Sequence, residues 1–487
     1  MLTTPTMFFL TLLACGEERW TRGPECPNTG TPHTDANMPD HVIRQGLDIP
    51  ILGAATGDVV PLDPPDTVAF GPIELSGLTP RLDAREGDEV KLGSVLFHDK
   101  KRPSIVVRSP VAGVVKEVRR GARRVITDVV VERKGDAEEA LPSYTPADLA
   151  KMSREEATAA AAASGMWPAL RTRPLDRIPS PGDVPQSILI GAMETGPLQP
   201  DVDVLLGPDD ADALQAAITV LSKLTDGPVH LARRKGQAHP ALDGLSGVQA
   251  HTFSGPHPAG DMGVQVNYVD PPRGQNQVWV IRAWDAAILG RTLLTGKVQP
   301  ERVYAATGAG STQPRLVKTL LGAPLSHITS EKVPSRWISG SVLTGTTTSS
   351  DRWAPFGARG VHLLPEEIHR HLFGWAMPAL GAWSFHKAFL GAFMGAPSGG
   401  VDMRPTVWGG HRAIVPIGAY NKVVATPDIL PDFLFKAIIV GDLEESISLG
   451  LLDITQEEAA LCTYVCPSKI EFDVILREGL DLYEQEA

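Results

Sequence analysis

Short apolar runs separated by Gly, Pro and Asp fill residues 41–134. Val90, Val95 and Val114 fall in such runs, and Gly93 lies at one of the intervening tight turns. Strand faces that alternate with turn residues at this spacing are typical of short β-strands. We therefore predict an all-β domain over residues 41–134.

Residues 135–165 change to a helical pattern. Thr145 precedes Pro146, an order in which the threonine caps a helix and the proline takes its first position. Ser153 and Glu156 form a capping-box pattern before an alanine-rich run. These signals predict a helical linker.

Strands and helices alternate in residues 166–300. Ser187–Ala192, Val229–Ala232 and Gln277–Ile281 are predicted strands, and residues 209–224 carry apolar side chains at helical spacing. This alternation predicts a Rossmann-like α/β domain with a parallel sheet. No G-x-G-x-x-G motif follows the first strand, so the usual pyrophosphate-binding loop is not predicted.

The pattern returns to β character in residues 301–355. Arg302–Ala306 and Arg336–Leu343 are predicted strands, and Pro314–Gly322 is predicted to be a short helix ended by its glycine. Strand, helix and strand in so short a span predict a β-grasp module of the SLBB-like type.

The last segment, residues 356–487, is mixed at first and becomes helical from about Leu430. The whole pattern therefore predicts an α+β multidomain chain. Its parts are a barrel-sandwich-hybrid-like β domain, a Rossmann-like α/β domain, a β-grasp module and a helical C-terminal domain.

The all-β segment resembles the barrel-sandwich hybrid of lipoyl and biotinyl carrier domains through Glu86–Leu96 and Ser109–Val115. Such carriers present a modified lysine at a hairpin tip, a region that Asp99–Pro103 occupies here. Lys100 or Lys101 is therefore a candidate for lipoylation or biotinylation. We favour the alternative, an exposed basic hairpin, because this fold is widely reused without its cargo.

The size and charge of the chain limit its function. Its 487 residues, 43% of them hydrophobic, are enough for several cores. The formal net charge of −12 argues against nucleic-acid binding, which depends on neutralising phosphates. Met7–Ala14, the longest apolar stretch near the start, is far shorter than the roughly 20 residues that cross a bilayer. We expect a chain that lies beside a membrane, not in it.

Residues 1–40 form a leader with two interpretations. Leu12–Cys15 is similar to a lipoprotein cleavage box, which would place a lipid on Cys15. No Lys or Arg precedes the apolar stretch, although a secretory signal requires a positively charged start. We favour a disordered leader or a start assigned too early, with Met38 directly before the first strand-like segment.

The loop Phe253–Gly260 contains two prolines and two glycines around His257. A stiff, exposed loop of this kind makes His257 a candidate contact in a ligand cleft. The alternative, which we favour, is a structural turn between two elements.

Cys462 and Cys466 are the only cysteines besides Cys15 and Cys26 of the leader. An iron–sulfur cluster needs four ligands and zinc three or four, so we predict no metal site. Their i, i+4 spacing leaves a disulfide or a shared ion open, but we favour two buried thiols in a helical core. No catalytic residue is predicted, and cofactor-binding residues stay unassigned.

Eight segments spread from the start of the all-β domain to the C-terminus carry a family resemblance. They are Gln45–Pro50, Gly87–Lys91, Ala169–Pro174, Gly255–Gly260, Pro314–Val317, Ile338–Leu343, Val415–Gly418 and Leu461–Pro467. In their order and spacing they resemble the A subunits of the bacterial sodium-translocating NADH:quinone reductases.

The resemblance implies a peripheral subunit on the cytoplasmic side of the inner membrane, assembled with five other subunits. That complex oxidises NADH, reduces ubiquinone and exports sodium, with FMN, FAD and an iron–sulfur centre in other subunits. The implied fold is related to the flavin-binding subunit of respiratory complex I, without its flavin and cluster. The resemblance further implies a role in assembly and an association with ubiquinone, and no complete active site in this chain alone.

Two stretches, residues 349–359 and 381–410, depart from the family pattern. A quinone contact is therefore not assigned to either stretch. The alternative function is a free-standing flavin- or NAD-binding oxidoreductase on a complex I-like fold.

Overall fold

The structure, a computed structural model, describes residues 38–366, 383, 385–387, 399–403 and 413–486. Residues 1–37 of the predicted leader, with Cys15 and Cys26, lie outside the described residues, as does most of the departing stretch 381–410. None of the described helices is long and apolar enough to cross a membrane.

The described strands lie between Asp40 and Pro365. They are β1 (Asp40–Val42), β2 (Val60–Pro61), β3 (Thr67–Phe70), β4 (Pro80–Leu82), β5 (Glu89–Val90), β6 (Val95–Asp99), β7 (Val106–Arg108), β8 (Gly113–Arg120), β9 (Ile126–Arg133), β10 (Arg171–Arg173), β11 (Ser187–Ala192), β12 (Val229–Arg234), β13 (Gln249–Ser254), β14 (Val278–Arg282), β15 (Glu301–Thr307), β16 (Arg315–Leu320), β17 (Ser335–Ser339), β18 (Thr346–Thr348) and β19 (Gly360–Pro365).

The described α-helices begin after the last strand of the all-β domain. They are α1 (Pro146–Lys151), α2 (Arg154–Ala163), α3 (Val202–Leu205), α4 (Ala211–Leu224), α5 (Met262–Val269), α6 (Ala283–Thr295), α7 (Leu325–Ile328), α8 (Pro431–Val440), α9 (Leu443–Ser448), α10 (Gln456–Val465) and α11 (Phe472–Glu486).

Two antiparallel sheets form the all-β domain, with strand orders β3-β9-β8-β5 and β4-β6-β7. Leu96, Phe97, Val129 and Val131 are fully buried between them. Apolar residues of these short strands thus supply the core, and both β6 and β9 bury consecutive residues.

The β6–β7 hairpin carries the candidate lysines. Lys100 and Lys101 are exposed, which agrees with the interpretation as a basic hairpin. Asp99 is fully buried and accepts hydrogen bonds from the Lys101 backbone N–H at 3.1 Å and the Arg102 Nε at 2.5 Å. Arg102 Nη1 donates to the Ile178 carbonyl at 2.7 Å. The hairpin tip is therefore fixed against the following domain.

Capping determines the two linker helices. Thr145 caps α1 and Ser153 caps α2, each with the reciprocal hydrogen bonds of a capping box. Both predicted helix starts are confirmed, because short side-chain oxygens satisfy the otherwise unpaired N–H groups of the first turn.

A six-stranded sheet with the order β1-β13-β12-β11-β14-β10 forms the α/β domain, and only β10 runs antiparallel. Ile188 and Ile190 of β11 pack in the cluster that includes α4 and α6, while Leu189 packs with Val264 and Val266 of α5. All six β11 residues are buried, as expected where helices cover both faces of a parallel sheet.

A second six-stranded sheet has the order β18-β17-β19-β15-β16-β2. Here the prediction of a helix over Pro314–Gly322 is wrong, because Arg315–Leu320 forms β16 and pairs antiparallel with β15. The flanking proline and glycine resemble helix ends, but Val317 and Thr319 are β-branched and buried against the sheet. Tertiary pairing outweighs the local signal.

The residues before the barrel contribute to both large sheets. β1 pairs with β13 in the α/β sheet, and β2 pairs with β16 in the second sheet. Both strands lie at or near the start of the range predicted for the all-β domain. This part of the chain therefore belongs to the α/β sheet and to the second sheet before it enters the all-β domain.

The C-terminal helices enclose the cysteine pair. Cys462 and Cys466 are free thiols with no exposed surface, and the Tyr420 hydroxyl donates to Cys466 Sγ at 3.2 Å. Burial raises the pKa of Cys462 well above its ordinary value, so the thiol stays neutral. The interpretation of two buried thiols in a helical core is confirmed.

Close approach of α4 and α6 depends on one glycine. A Cβ at Gly290 would lie 1.8 Å from the Ala213 carbonyl oxygen. We expect Gly290→Ala to destabilise the chain by about 1–3 kcal/mol through overpacking, despite the better helix propensity of alanine. Thermal unfolding followed by circular dichroism measures this loss.

The matched control is Gly182→Ala, where a Cβ would meet nothing within 4 Å. Its unfolding midpoint should equal that of the wild type. Equal midpoints for both variants would contradict the tight helix contact.

Candidate functional site

A cavity of about 370 Å³ lies at the carboxyl ends of β11 and β14. These neighbouring strands are separated in sequence, since the chain leaves β11 to build β12 and β13 on one side and returns to build β14 on the other. A crevice forms where the strand order reverses in this way, and ligands of α/β proteins bind there.

Glu194 lies two residues after β11, Arg282 is the last residue of β14, and both line this cavity. Glu194 Oε1 accepts from the backbone N–H groups of Thr195 and Gly196 at 2.9 and 2.8 Å. Arg282 Nη1 lies 3.6 Å from Glu194 Oε2 and donates to the Gly260 carbonyl at 3.1 Å. The pair therefore places a carboxyl group and a guanidinium group at the carboxyl end of the sheet.

His257 forms another part of the wall and is only 2% exposed. Its Nδ1 lies 3.1 Å from the Thr195 hydroxyl, and its Nε2 lies 3.4 Å from Glu457 Oε2. Burial disfavours the charged imidazolium, but Glu457, with Glu194 and Asp261 farther away, raises the pKa of His257 above its ordinary value. The imidazole beside the cavity therefore keeps its proton to a higher pH than an ordinary histidine does.

Glu457 reaches the cavity from the first turn of α10, whose cap is Thr455. Its Oε1 accepts a hydrogen bond from the Thr344 hydroxyl at 2.6 Å. Burial opposes ionisation, but His257 and the hydroxyls of Thr344 and Ser341 lower the pKa of Glu457 below its ordinary value. A carboxylate at a helix N-terminus is also favoured by the helix dipole.

Residues that flank strands of the second sheet also line the cavity, namely Gly340 and Ser341 after β17 and Arg359 before β19. Gln199 crosses from the α/β domain and donates to the Gly340 carbonyl at 2.8 Å. Behind it, His362 is fully buried, and burial lowers its pKa to about 4, so that it is neutral at physiological pH. Residues from three parts of the chain therefore meet at one polar site.

The structure brings together only some of the residues that the sequence singles out. His257 lines the cavity, as its candidate role as a ligand contact requires, whereas the cysteine pair and the hairpin lysines lie elsewhere. The described residues contain no group of three or more His, Cys, Asp or Glu side chains that could hold a metal ion.

Sequence reasoning missed Glu194, Arg282 and Glu457. A usable signal exists for the first two, because each is a charged residue at or just after the end of a buried strand. No local signal marks Glu457, since it is one of two acidic residues in the first turn of its helix.

The α/β domain, the second sheet's flanking loops and the C-terminal helices meet at the polar cavity. Together with the all-β domain they define the class, a multidomain α+β protein with a crevice at its strand ends. Family comparisons match three parts of the chain. Residues 41–134 match the NqrA N-terminal barrel-sandwich hybrid domain, residues 152–298 the NqrA second alpha/beta domain, and residues 303–350 the NQRA C-terminal domain, SLBB.

Relatives similar over nearly their whole length identify the family. The A subunit of the Na(+)-translocating NADH-quinone reductase of Histophilus somni strain 2336 is 37% identical over 91% of this chain and 99% of its own. The corresponding proteins from Vibrio atlanticus and Klebsiella pneumoniae are 39% and 38% identical at the same coverage. The chain belongs to the family of the A subunits of Na(+)-translocating NADH-quinone reductases.

A solved structure with a weaker likeness is an NAD+-reducing NiFe-hydrogenase in its H2-reduced state. It is 14% identical, with 47% of this chain and 52% of that chain aligned at a TM-score of 0.30. This likeness is too low to support a conclusion.

The buried pair of His257 and Glu457 predicts a pH-dependent contribution to stability. The raised pKa of His257 makes its contribution complete below 6.5 and lost as pH rises through the folded-state value. The lowered pKa of Glu457 makes its contribution complete above 4.5 and lost as pH falls. We expect His257→Gln to cost about 3 kcal/mol, with the largest difference between these two pH values.

Urea denaturation of wild type and variant between pH 4 and pH 8 measures this difference. The control is His98→Gln. His98 Nδ1 lies 2.6 Å from Oδ2 of Asp83, a carboxylate that is more exposed than Glu457. This variant should lose less than about 1 kcal/mol of unfolding free energy. A loss for His257→Gln that does not change with pH would contradict the ion pair.

Proposed function

We propose that this chain is the peripheral A subunit of a six-subunit complex, assembled with five other subunits on the cytoplasmic side of the inner membrane. The complex transfers electrons from NADH to ubiquinone and couples this to sodium export. The family membership supports this assignment, because the relatives that carry the A-subunit name match this chain over 99% of their length. The alternative of a free-standing oxidoreductase is not favoured.

Finer fold labels belong to the same proposal. We assign the α/β domain to the Rossmann-like type, because β13-β12-β11-β14 has the order 3-2-1-4 of a doubly wound sheet. We assign the second sheet to the β-grasp type, with the match to an SLBB domain in support. Both labels describe how the cavity is framed.

The proposal extends to the redox cofactors, which we assign to other subunits. FMN, FAD and an iron–sulfur centre would lie outside this chain, while NADH and ubiquinone are used by the complex. Supporting this, the first strand of the α/β domain is not followed by a dinucleotide-binding glycine motif. The chain also has only two cysteines beyond its leader.

The polar cavity carries the proposed role in quinone reduction, alongside a role in assembly. A quinone headgroup presents two carbonyl acceptors, and its reduction to a quinol takes up two electrons and two protons. Arg282 supplies N–H donors at the cavity wall, and His257 has a raised pKa that favours a held proton. Electrons would arrive from the other subunits, and this chain would position the headgroup.

Photo-crosslinking in the whole complex tests this role. A photoreactive ubiquinone analogue should label peptides of the cavity wall, with excess ubiquinone as competitor. We also expect His257→Gln to raise the KM for ubiquinone about 10-fold, the cost of one hydrogen bond to a charged donor.

His98→Gln, far from the cavity wall in the all-β domain, should leave the KM unchanged. Labelling confined to other subunits, with an unchanged KM for His257→Gln, would contradict a quinone site here and leave the assembly role standing. Full NADH:ubiquinone reductase activity of the isolated chain would contradict its assignment to a multi-subunit complex.

A further inference from the structure

The outward face of α8 is unusually apolar. Phe433 is 61% exposed, Ile439 56% and Val440 77%, and Leu430 just before the helix is 51% exposed. Lys436 lies among them, with its Nζ 5.9 Å from the centre of the Phe433 ring. We call these five side chains the α8 face.

The opposite side of the same helix is already buried. Leu434 and Phe435 have no exposed surface, and the Phe435 ring lies 4.4 Å from that of Phe472 in α11. The neighbouring helix α11 instead presents Glu478 and Glu484 to solvent. A helix with apolar side chains on its exposed side as well as its buried side is typical of one covered on both sides. The α8 face therefore lacks a cover among the described residues.

Charge restricts what the cover can be. Residues 428–450 contain five carboxylates and one lysine. Four of the carboxylates are exposed, namely Asp428, Asp442, Glu444 and Glu445. These carboxylates would repel an anionic phospholipid surface. They would attract and orient a segment with Lys or Arg.

We propose that the α8 face docks a segment of another subunit in which apolar side chains are flanked by Lys or Arg. This rests on the proposed function, because it requires partner subunits. Membrane-spanning subunits carry an excess of Lys and Arg in their cytoplasmic loops, so the cytoplasmic end of such a protein has the required chemistry. The apolar side chains of the α8 face would supply the affinity, and the exposed carboxylates would orient the docked segment.

The double variant Phe433→Ser/Val440→Ser in the assembled complex tests the docking. Both side chains are exposed, so we expect the isolated variant to keep the circular dichroism spectrum and unfolding midpoint of the wild type. Its co-purification with the other subunits should fall at least 10-fold. The matched control Val125→Ser/Val184→Ser removes valines that are 46% and 45% exposed elsewhere, and should assemble like the wild type.

A photoreactive benzophenone side chain in place of Lys436 identifies the occupant. Crosslinking within the complex to an apolar segment of another subunit flanked by Lys or Arg supports the proposal. Crosslinks to residues 367–412 of this chain, to a second copy of it or to lipid would overturn it, as would normal assembly of Phe433→Ser/Val440→Ser.

The two proposals fail in different ways. If the wild-type chain does not co-purify with other subunits at all, the proposed function fails and the docking fails with it. If the wild type assembles and the double variant assembles equally well, only the docking site is wrong.

Discussion

Charges buried between distant parts of the chain must be paired, and this constraint organises the centre of the molecule. Glu457 at the start of α10 meets His257 in the loop after β13, and Arg359, directly before β19 of the second sheet, meets Asp285 of α6. An uncompensated charge in such a place costs several kcal/mol, so each pair tolerates few arrangements of its two elements. The pairs therefore fix how the C-terminal helices and the second sheet sit on the α/β domain.

The same constraint creates the cavity. The paired charges at the strand ends, Glu194 with Arg282 and His257 with Glu457, line a polar space that apolar side chains do not fill. The His257 imidazole beside this space has a raised pKa. The site therefore combines hydrogen-bond donors with a proton carrier at the place where α/β sheets bind ligands. Under the proposed function, these residues would position a quinone headgroup.

The two proposals assign different roles to the cavity and the α8 face: the cavity would position quinone, and the α8 face would bind another subunit. The cavity is polar and lies between the α/β domain and the second sheet, while the α8 face is exposed and apolar, with exposed carboxylates nearby in sequence. Phe472 links α8 to the helical core that also holds α10, the helix that carries Glu457. Docking at α8 would thus contact the same helical layer that supplies one wall of the cavity.

Local sequence was sufficient where one short-range interaction decides the structure. Thr145 and Ser153 cap their helices, the apolar run Ser187–Ala192 becomes a buried strand, and the spacing of the cysteine pair places both thiols in a helical core. Capping, burial and helical periodicity each act within a few residues, so the chain alone determines them.

Tertiary structure decided what depends on partners far along the chain. Pro314–Gly322 has the punctuation of a helix but becomes a strand because β15 offers a ladder of hydrogen bonds. His257 stood out by its loop, yet the partner that raises its pKa, Glu457, lies far along the chain and carries no local signal. Strand order, ion pairing and pKa are properties of residues that only folding brings together, and the functional site of this protein is made of such properties.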